Sequence, residues 1–595
     1  MSDVSLKGRS LVAGTAQGEL LYADVGLSFW GGVDPFSGEV IDRHHPLSGA
    51  IISGRVLAIP SGRGSCTGSS VLLELILNGH APAALVFEQI DDILTLGVLV
   101  AEQIFQQSIP VISVGRDGFA ALRNVRYVRV ENDCLSAFDI APPALPPYVV
   151  SAPVAQTSPS LTLTADDQAF LDGKHGKAAQ VAMGIILRIA ELQGATELLD
   201  ITQAHIDGCI YTGPASLRFA QQLVAWGANV RVPTTLNSIS VDKRRWREQG
   251  IDAALGEPAS QLGDAYLNMG AKVSFTCAPY LLDSAPKVGE QIVWAESNAV
   301  VYANSVIGAR TLKYPDYLDI CIALTGRAPL TGCHLQAQRH ASLKITVPAS
   351  IQANPGDLDD SFYPLLGYHI GLLCGSEIPV VCGLERAKPT LDDLKAFGAA
   401  FATTSAAPMF HIAGVTPEAA TIEQALDGHL PTQTLSITLP DLLRSWRELD
   451  SAPDAKVDVV TLGNPHFSLS EFASLAALCK GKSKHPDVEL IITSGRETHD
   501  QAREAGYIPV LETFGVQLVT DTCWCMLGEP VIPPQARTLM TNSGKFAHYA
   551  PGLVGRQVHF ASLAECVATA GSGLASGRLP AWLKPAAQAQ EAAHV

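Results

Sequence analysis

RVLAIPSGRGSCTGSSVLLELILNG, residues 55–79, is the stretch that decides the fold class. An apolar run closes at Pro60. Ten residues holding three glycines and several hydroxyls follow, and then a helix-length apolar run. That order reads as strand, tight loop, helix, the repeating unit of an α/β layer. Glycines let the backbone turn sharply and approach a neighbour closely. A helix start offers free N–H groups and the positive end of a dipole, which favours an anion. Ser65 is placed for that field to lower the cost of its alkoxide. Arg63 offers a planar fork of donors to a carboxylate. The loop is neither a Walker A loop, since no Gly-Lys-Ser/Thr closes it, nor a G-x-S-x-G elbow, since Gly64 directly precedes Ser65.

Working outward, AALVFE (83–88), PVISVG (110–115) and VRYVRVEN (125–132) read as further strands, and DDILTLGVLVAEQIF (91–105) as a second helix. The first block is thus a compact α/β domain to about residue 145. Residues 135–160 are rich in Pro, Ala and Ser and read as a semi-rigid linker. A helix start follows at 164–173, with Asp166 and Asp167 in its first turn. From there strand-like runs (ANVRVP, AKVSFTC, ITVPA, EIPVVCG, APMFHIAG, VDVVTLG, VELIITS, VQLVTDTC) alternate with helical ones. This pattern predicts mostly parallel sheets with ligands at the strand C-terminal ends. PAAQAQEAAHV (585–595) reads as a frayed tail.

At 595 residues the chain suggests about three to five domains. Its 41 Lys and Arg against 58 Asp and Glu leave a formal net charge of −17, with no basic block. Such a chain is poorly suited to wrapping nucleic acid, which needs clustered cations. The opening MSDVSLKGRS has no apolar core of a secretory signal, and no run of 18 apolar residues occurs, so no membrane association is expected and the location expected is cytoplasmic. In a cytosolic chain the twelve cysteines are core residues, metal ligands or redox groups rather than disulfides.

Several segments place reactive groups at strand ends. SFTCAPY (274–280) carries Cys277, VTLGNPHFS (460–468) carries Asn464 and His466, and LVTDTCWC (518–525) carries Cys523 and Cys525. Thiolates from separate strand ends hold iron or an iron–sulfur cluster where no CxxC cassette exists. Cys525 would face the same side as Cys523 in an extended segment and need not in a turn. WAESNAVVYANSVIGART (294–311) offers Asn304 and Arg310 to a polar substrate, or is a helix with a polar face. TNSGKFAHYAPG (541–552) offers Lys545 to a carboxylate, or is a surface turn. His205, Asp207 and Cys209 fit no standard zinc spacing. Adjacent His44 and His45 point oppositely if extended.

Taken together, these segments resemble the aconitase X branch of the aconitase superfamily. LSFWGGVDPFSGEVIDRHHPLSG (27–49) and GRGSCTGSS (62–70) resemble its swivel domain. SFTCAPYL, WAESNAVVYANSVIGART, LLGYHIG (365–371), LKAFGAAFATTSAAPMFHIAGVTPEA (394–419), GNPHFSLSEF (463–472), TDTCW (520–524) and NSGKFAHYAPG (542–552) resemble its catalytic region. The resemblance implies an aconitase-like α/β fold: a small β/β/α swivel over 1–145, a Pro-rich linker at 146–163, a multi-lobed α/β catalytic region over 164–584 and a flexible tail at 585–595. It implies an iron-dependent hydro-lyase in which Ser65 is the base and Cys277 and Cys523 are iron ligands. The family's third cysteine falls at Asn464, a poor iron ligand, so a [2Fe–2S] cluster or mononuclear iron is expected over [4Fe–4S]. Arg63, Asn304, Arg310, Lys545 and His466 are the expected substrate contacts. The substrate implied is a small hydroxy amino acid, cis-3-hydroxy-L-proline, because swivel and catalytic parts are fused. Mevalonate 5-phosphate or another hydroxy acid is the alternative. A non-enzymatic iron-sensing, RNA-binding role is disfavoured by the charge.

Overall fold

The computed structural model describes residues 4–143 and 161–593. Of the linker expected at 146–163, all but the last three residues lie outside the described ones. The strand read in the opening stretch is Val56–Ile59 and the helix is Gly68–Asn78. Both that strand and its parallel neighbour Ala84–Phe87 are buried throughout, as an unbroken apolar run requires in a sheet covered on both faces. Helix Asp92–Phe105 crosses Gly68–Asn78 closely. A Cβ on Gly97 would lie 2.6 Å from the carbonyl of Ser69, so only glycine permits the crossing.

The swivel sheet has eight strands. In spatial order they are Val4–Lys7, Cys134–Phe138, Tyr127–Glu131, Thr15–Tyr22, Val56–Ile59, Ala84–Phe87, Val111–Ser113 and Arg9–Val12. The middle pairs are parallel and the flanking ones antiparallel. One correction follows. Residues 135–138, read as the start of the linker, belong to a strand paired on both sides, to Val4–Lys7 and to Tyr127–Glu131.

The rest of the chain folds as three lobes. In the first, strands Thr234–Leu236, Ala204–Ile206 and Val293–Trp294 form a parallel sheet. The second has the parallel order His411–Ile412, Pro379–Cys382, Leu343–Thr346, Gln433–Ser436. The third has the parallel order Val516–Thr520, Glu489–Ser494, Val459–Leu462, Thr538–Thr541, Gln557–Phe560. One apolar cluster runs from Val71, Leu75 and Val98 of the swivel into Met183, Ile186 and Leu223 of the first lobe. Burial on that scale docks the swivel against this lobe.

Two expected strands are absent, for local reasons. In ANVRVP, Val230 N–H donates to Met269 and Arg231 N–H to Ala323, two different segments, and the strand begins only after Pro233. In AKVSFTC the Ser274 hydroxyl accepts from Leu236 N–H at 2.7 Å and donates to Leu236 O at 2.9 Å. A side chain thereby takes over the ladder bonds that a strand would need. The tail read as frayed forms helix Lys584–Ala593, packed on helix Leu439–Leu449 with Leu583 and Ala586 buried. No helix among the described residues is long and apolar enough to cross a membrane.

Candidate active site

The Gly-rich loop is stretched between two anchors. Gly62 N–H donates to Asp91 Oδ2 at 2.6 Å, and Asp91 also caps helix Asp92–Phe105 through Leu94 N–H. Gly64 adopts φ +78°, where a side chain would be strained, and a Cβ there would lie 2.9 Å from both Ser28 Oγ and the Tyr549 hydroxyl. These contacts press the loop onto the catalytic lobes. Cys66 N–H donates to Ser297 Oγ at 3.2 Å, and Ser297 Oγ donates to Gly64 O at 3.3 Å. Ser65 is half-buried at the head of helix Gly68–Asn78. Its Oγ accepts from Thr67 N–H at 3.2 Å and donates to Thr67 Oγ1 at 3.1 Å.

Tyr549 joins this loop to a group of thiols. Its ring is buried together with Cys277, Cys523 and Cys525. His466 N–H donates to Cys277 Sγ at 3.3 Å, and Asn464 Nδ2 donates to Cys525 Sγ at 3.3 Å. Cys523 and Cys525 share a face because the intervening Trp524 turns away, its Nε1 donating to Leu462 O at 2.7 Å. The hydrogen bond from Cys523 pulls the Cys525 thiol down to about 7 against its burial, with Lys545 and Asn464 adding to the pull. Bonds to Cys277 and Cys525 push Cys523 up in turn.

These donors sit where the resemblance implies an iron group. Three soft sulfur donors converge, and beside them Asn464 Oδ1 is buried without a partner, a polar atom that costs about 1–3 kcal/mol unless something binds it. Among the described residues, no three or more His, Cys, Asp or Glu groups are placed to hold a metal ion outright. The donor chemistry fits a thiophilic group. Cys525, which sequence spacing left open, joins the two expected cysteines, and Asn464 supports it through a hydrogen bond.

The charges around the thiols are mostly paired. Lys545 Nζ donates to Glu296 Oε1 at 2.7 Å, and Glu296 also accepts from Ala299 N–H and Asn298 Nδ2. Both are buried. Glu296 is held below its usual value despite that burial, chiefly by the Lys545 charge, and Lys545 is held well above its own. Arg63 pairs with Asp42 at 2.9 Å. Lys313 differs. It is half-buried, and its Nζ donates only to the carbonyls of Gly64 at 3.2 Å and Ser405 at 3.0 Å, with no ion pair among the described residues. Burial lowers its pKa. Nothing in the sequence around it marked it.

Other expected contacts are committed elsewhere. Asn304 donates to Thr311 O at 2.9 Å and Pro408 O at 3.0 Å and accepts from Thr311 N–H and Arg339, so its bonding capacity is used within the protein. Arg310 is spent on the carbonyl of His334 and on Gln336. His466 is fully buried with both ring nitrogens engaged, Nδ1 by Thr276 Oγ1 and Nε2 by Thr522 O, and burial drops its pKa to about 4. The neutral ring braces the Cys277 and Cys523 segments. His45 Nε2 bonds Val25 O while His44 stacks on His548, so the two face apart.

The Aconitase X swivel domain model matches residues 5–137, and the Aconitase X first, second and third domain models match 160–337, 341–447 and 457–572. The chain is 60% identical to a cis-3-hydroxy-L-proline dehydratase of Pseudomonas aeruginosa over 575 residues, covering 97% of this chain and 98% of that one. It is 55% identical to a cis-3-hydroxy-L-proline dehydratase of Hypocrea jecorina over 580 residues, 97% of each. Among solved structures, the holo-form of Thermococcus kodakaraensis aconitase X matches with TM-score 0.62 and 30% identity, covering 69% of this chain and all of that one.

Proposed function

The chain belongs to the aconitase X family, with swivel and catalytic domains in one polypeptide, and from that premise we propose that it dehydrates cis-3-hydroxy-L-proline to Δ1-pyrroline-2-carboxylate. It is a hydro-lyase. The observation that carries the reading is Tyr549, packed with Cys277, Cys523 and Cys525 on one side and pressed against Gly64, the residue before Ser65, on the other. Swivel and catalytic lobes therefore meet beside Ser65.

Loss of water from this substrate requires removal of the Cα proton and departure of the C3 hydroxyl. Ser65 Oγ takes the proton, and Thr67 N–H and the helix start favour the negative charge that makes the oxygen basic. Lys313 binds the substrate carboxylate, being the cation with no carboxylate of its own, while Lys545 and Arg63 hold theirs. The loop docked on Ser28, Ser297 and Tyr549 closes the pocket against water. Cys277, Cys523 and Cys525 would hold the iron group, which when bound supplies Lewis acidity for the leaving hydroxyl. The enamine product tautomerises to the cyclic imine. One unpaired lysine suits a single carboxylate better than the dianionic phosphate of mevalonate 5-phosphate. The twelve free cysteines suit a reducing compartment, which supports a cytoplasmic location.

The deciding experiment compares turnover of cis-3-hydroxy-L-proline, its trans epimer and mevalonate 5-phosphate on one preparation. Imine formation from the cis epimer supports the assignment, and turnover of the phosphate alone overturns it. Lys313→Met is expected to lower kcat/KM by about 10- to 100-fold, mainly through KM, as loss of a charge-assisted substrate contact does. An unchanged KM removes Lys313 from carboxylate binding. For the iron group we propose [2Fe–2S], since Asn464, a poor iron ligand, stands where the family's third cysteine is expected. Iron and acid-labile sulfide measured on the anaerobic protein are expected at two each. Cys525→Ser is expected to strip most of both, and retention of full iron by that variant excludes Cys525 as a ligand.

A further inference from the structure

Beneath the Ser65 loop lie three carboxyl groups that no part of this chemistry uses. Asp207 ends strand Ala204–Ile206, and Asp316 and Asp319 flank the start of helix Leu318–Thr325. Asp207 is 1% exposed and the other two are fully buried, and among the described residues none pairs with a lysine, arginine or histidine. Buried acids without cations are costly as charges, so such a group keeps a proton in common.

Their partners differ. Asp319 is an anchor, accepting from the N–H groups of Asp207 at 2.7 Å, Gly208 at 3.3 Å and Ile320 at 2.7 Å. Asp316 accepts from Ser70 Oγ at 2.8 Å, and burial and then the Asp207 and Asp319 charges push its carboxyl well above the usual carboxylate range. Asp207 accepts from Asn237 Nδ2 on one oxygen. On the other it accepts from Thr67 Oγ1 at 3.3 Å, and Thr67 Oγ1 in turn accepts from Ser65 Oγ at 3.1 Å. An unbroken line of donors thus runs from Ser65 through Thr67 to Asp207.

We propose that Thr67 and the Asp207–Asp316 pair form a proton relay behind Ser65. The inference rests on Ser65 being the base. As Ser65 Oγ gains the Cα proton, its own proton passes to Thr67 Oγ1 and the Thr67 proton passes to Asp207 Oδ2. The C–H electron pair forms the new double bond, and the C3 hydroxyl leaves with its own pair. The stored proton returns along the same line and converts that hydroxide to water, so no other acid or base is consumed. Ser65 is spared a free alkoxide. Thr67 touches Ser65, Asp207 touches Thr67, and neither touches the reacting atoms, so they are positioning residues. Burial first, and then the charges of Glu296 and Asp319, raise Asp207 to about 7, with Asn237 and Lys545 opposing. The other groups facing the pair are Cys66, Cys209, Tyr266, which donates to Gly208 O, and Tyr317. An acceptor of that strength is empty above neutrality and filled below it.

The test compares Thr67→Val, which keeps the shape and removes the hydroxyl, with Thr67→Ser, which restores it. Thr67→Val is expected to lower kcat by about 10²-fold at nearly constant KM and to abolish the acidic limb of the kcat profile near neutrality. Thr67→Ser is expected to recover most of the rate and the limb. Asp207→Asn is expected to match Thr67→Val. If it does not fold, the threonine pair still decides. Wild-type kcat and pH profile in Thr67→Val, beside an inactive Ser65→Ala, overturn the relay and leave the base in place. Normal turnover in Ser65→Ala overturns the base reading itself.

Discussion

Ser65→Ala is expected to lower turnover by about 10³- to 10⁴-fold while leaving the protein folded, the scale a positioned acid–base group contributes. The loop does not depend on Ser65 for its shape. Asp91 holds Gly62, Ser297 holds Cys66 and Gly64, and the positive φ of Gly64 sets the turn. The serine hydroxyl bonds only to Thr67, one residue further along the loop than its neighbour Cys66. Its removal forfeits local hydrogen bonding of about 0.5–1.5 kcal/mol, too little to unfold a chain with so extensive a core. The loss should fall on kcat, since Ser65 meets the proton only in the reacting complex. Solvent deuterium appearing at Cα of recovered substrate gives an independent reading, because a base that removes the proton also returns one. Ser65→Ala is expected to end that exchange. Exchange at the wild-type rate in this variant would assign proton removal to another group.

The swivel was legible because its central strands are unbroken apolar runs closed by Gly and Pro. Val56–Ile59, Ala84–Phe87 and both helices lie where the punctuation places them. Its strand Cys134–Phe138 was not. It is short and alternates in burial, so its composition matches that of a linker. At the site, Cys277 and Cys523 were readable as sulfur at the ends of apolar runs, but Cys525 depended on a turn whose direction is set by Trp524 reaching Leu462. The internal hydrogen bonds that engage Asn304 and Arg310 could not be read from the sequence. Buried Arg339 requires acceptors, and Asn304 supplies two of them, a demand that arises only once distant segments meet. The acidic group behind Ser65 was equally hidden. Asp207 and Asp316 lie far apart in sequence, and nothing local distinguishes a buried aspartate from the usual exposed one.

Lys545→Met carries the largest expected loss of stability. It removes the cation from a carboxylate that burial would otherwise drive neutral, and breaking such a pair from one side costs about 3–5 kcal/mol. Ala299 N–H and Asn298 Nδ2 would still donate to Glu296, so the carboxylate would keep its hydrogen bonds and lose its charge partner. The pH dependence should change sign. In the wild type the folded-state pKa of Glu296 lies below its unfolded value, so the pair's contribution is present above the unfolded pKa and is lost as pH falls through the folded one. Without Lys545 the remaining dominant influence is burial, which raises that pKa. The variant's deficit should then be greatest near neutrality and shrink on mild acidification, as Glu296 takes up a proton. Glu296→Gln placed on Lys545→Met should recover much of the loss, because it removes the orphaned charge while keeping an acceptor for Ala299. Denaturant unfolding of the wild type, both single variants and the double variant at pH 5 and pH 7.5 measures this. A deficit that does not vary with pH, or a double variant no more stable than Lys545→Met, would show that the lysine acts through packing of its stem, and the ion pair would lose its place as the electrostatic floor of the thiol site.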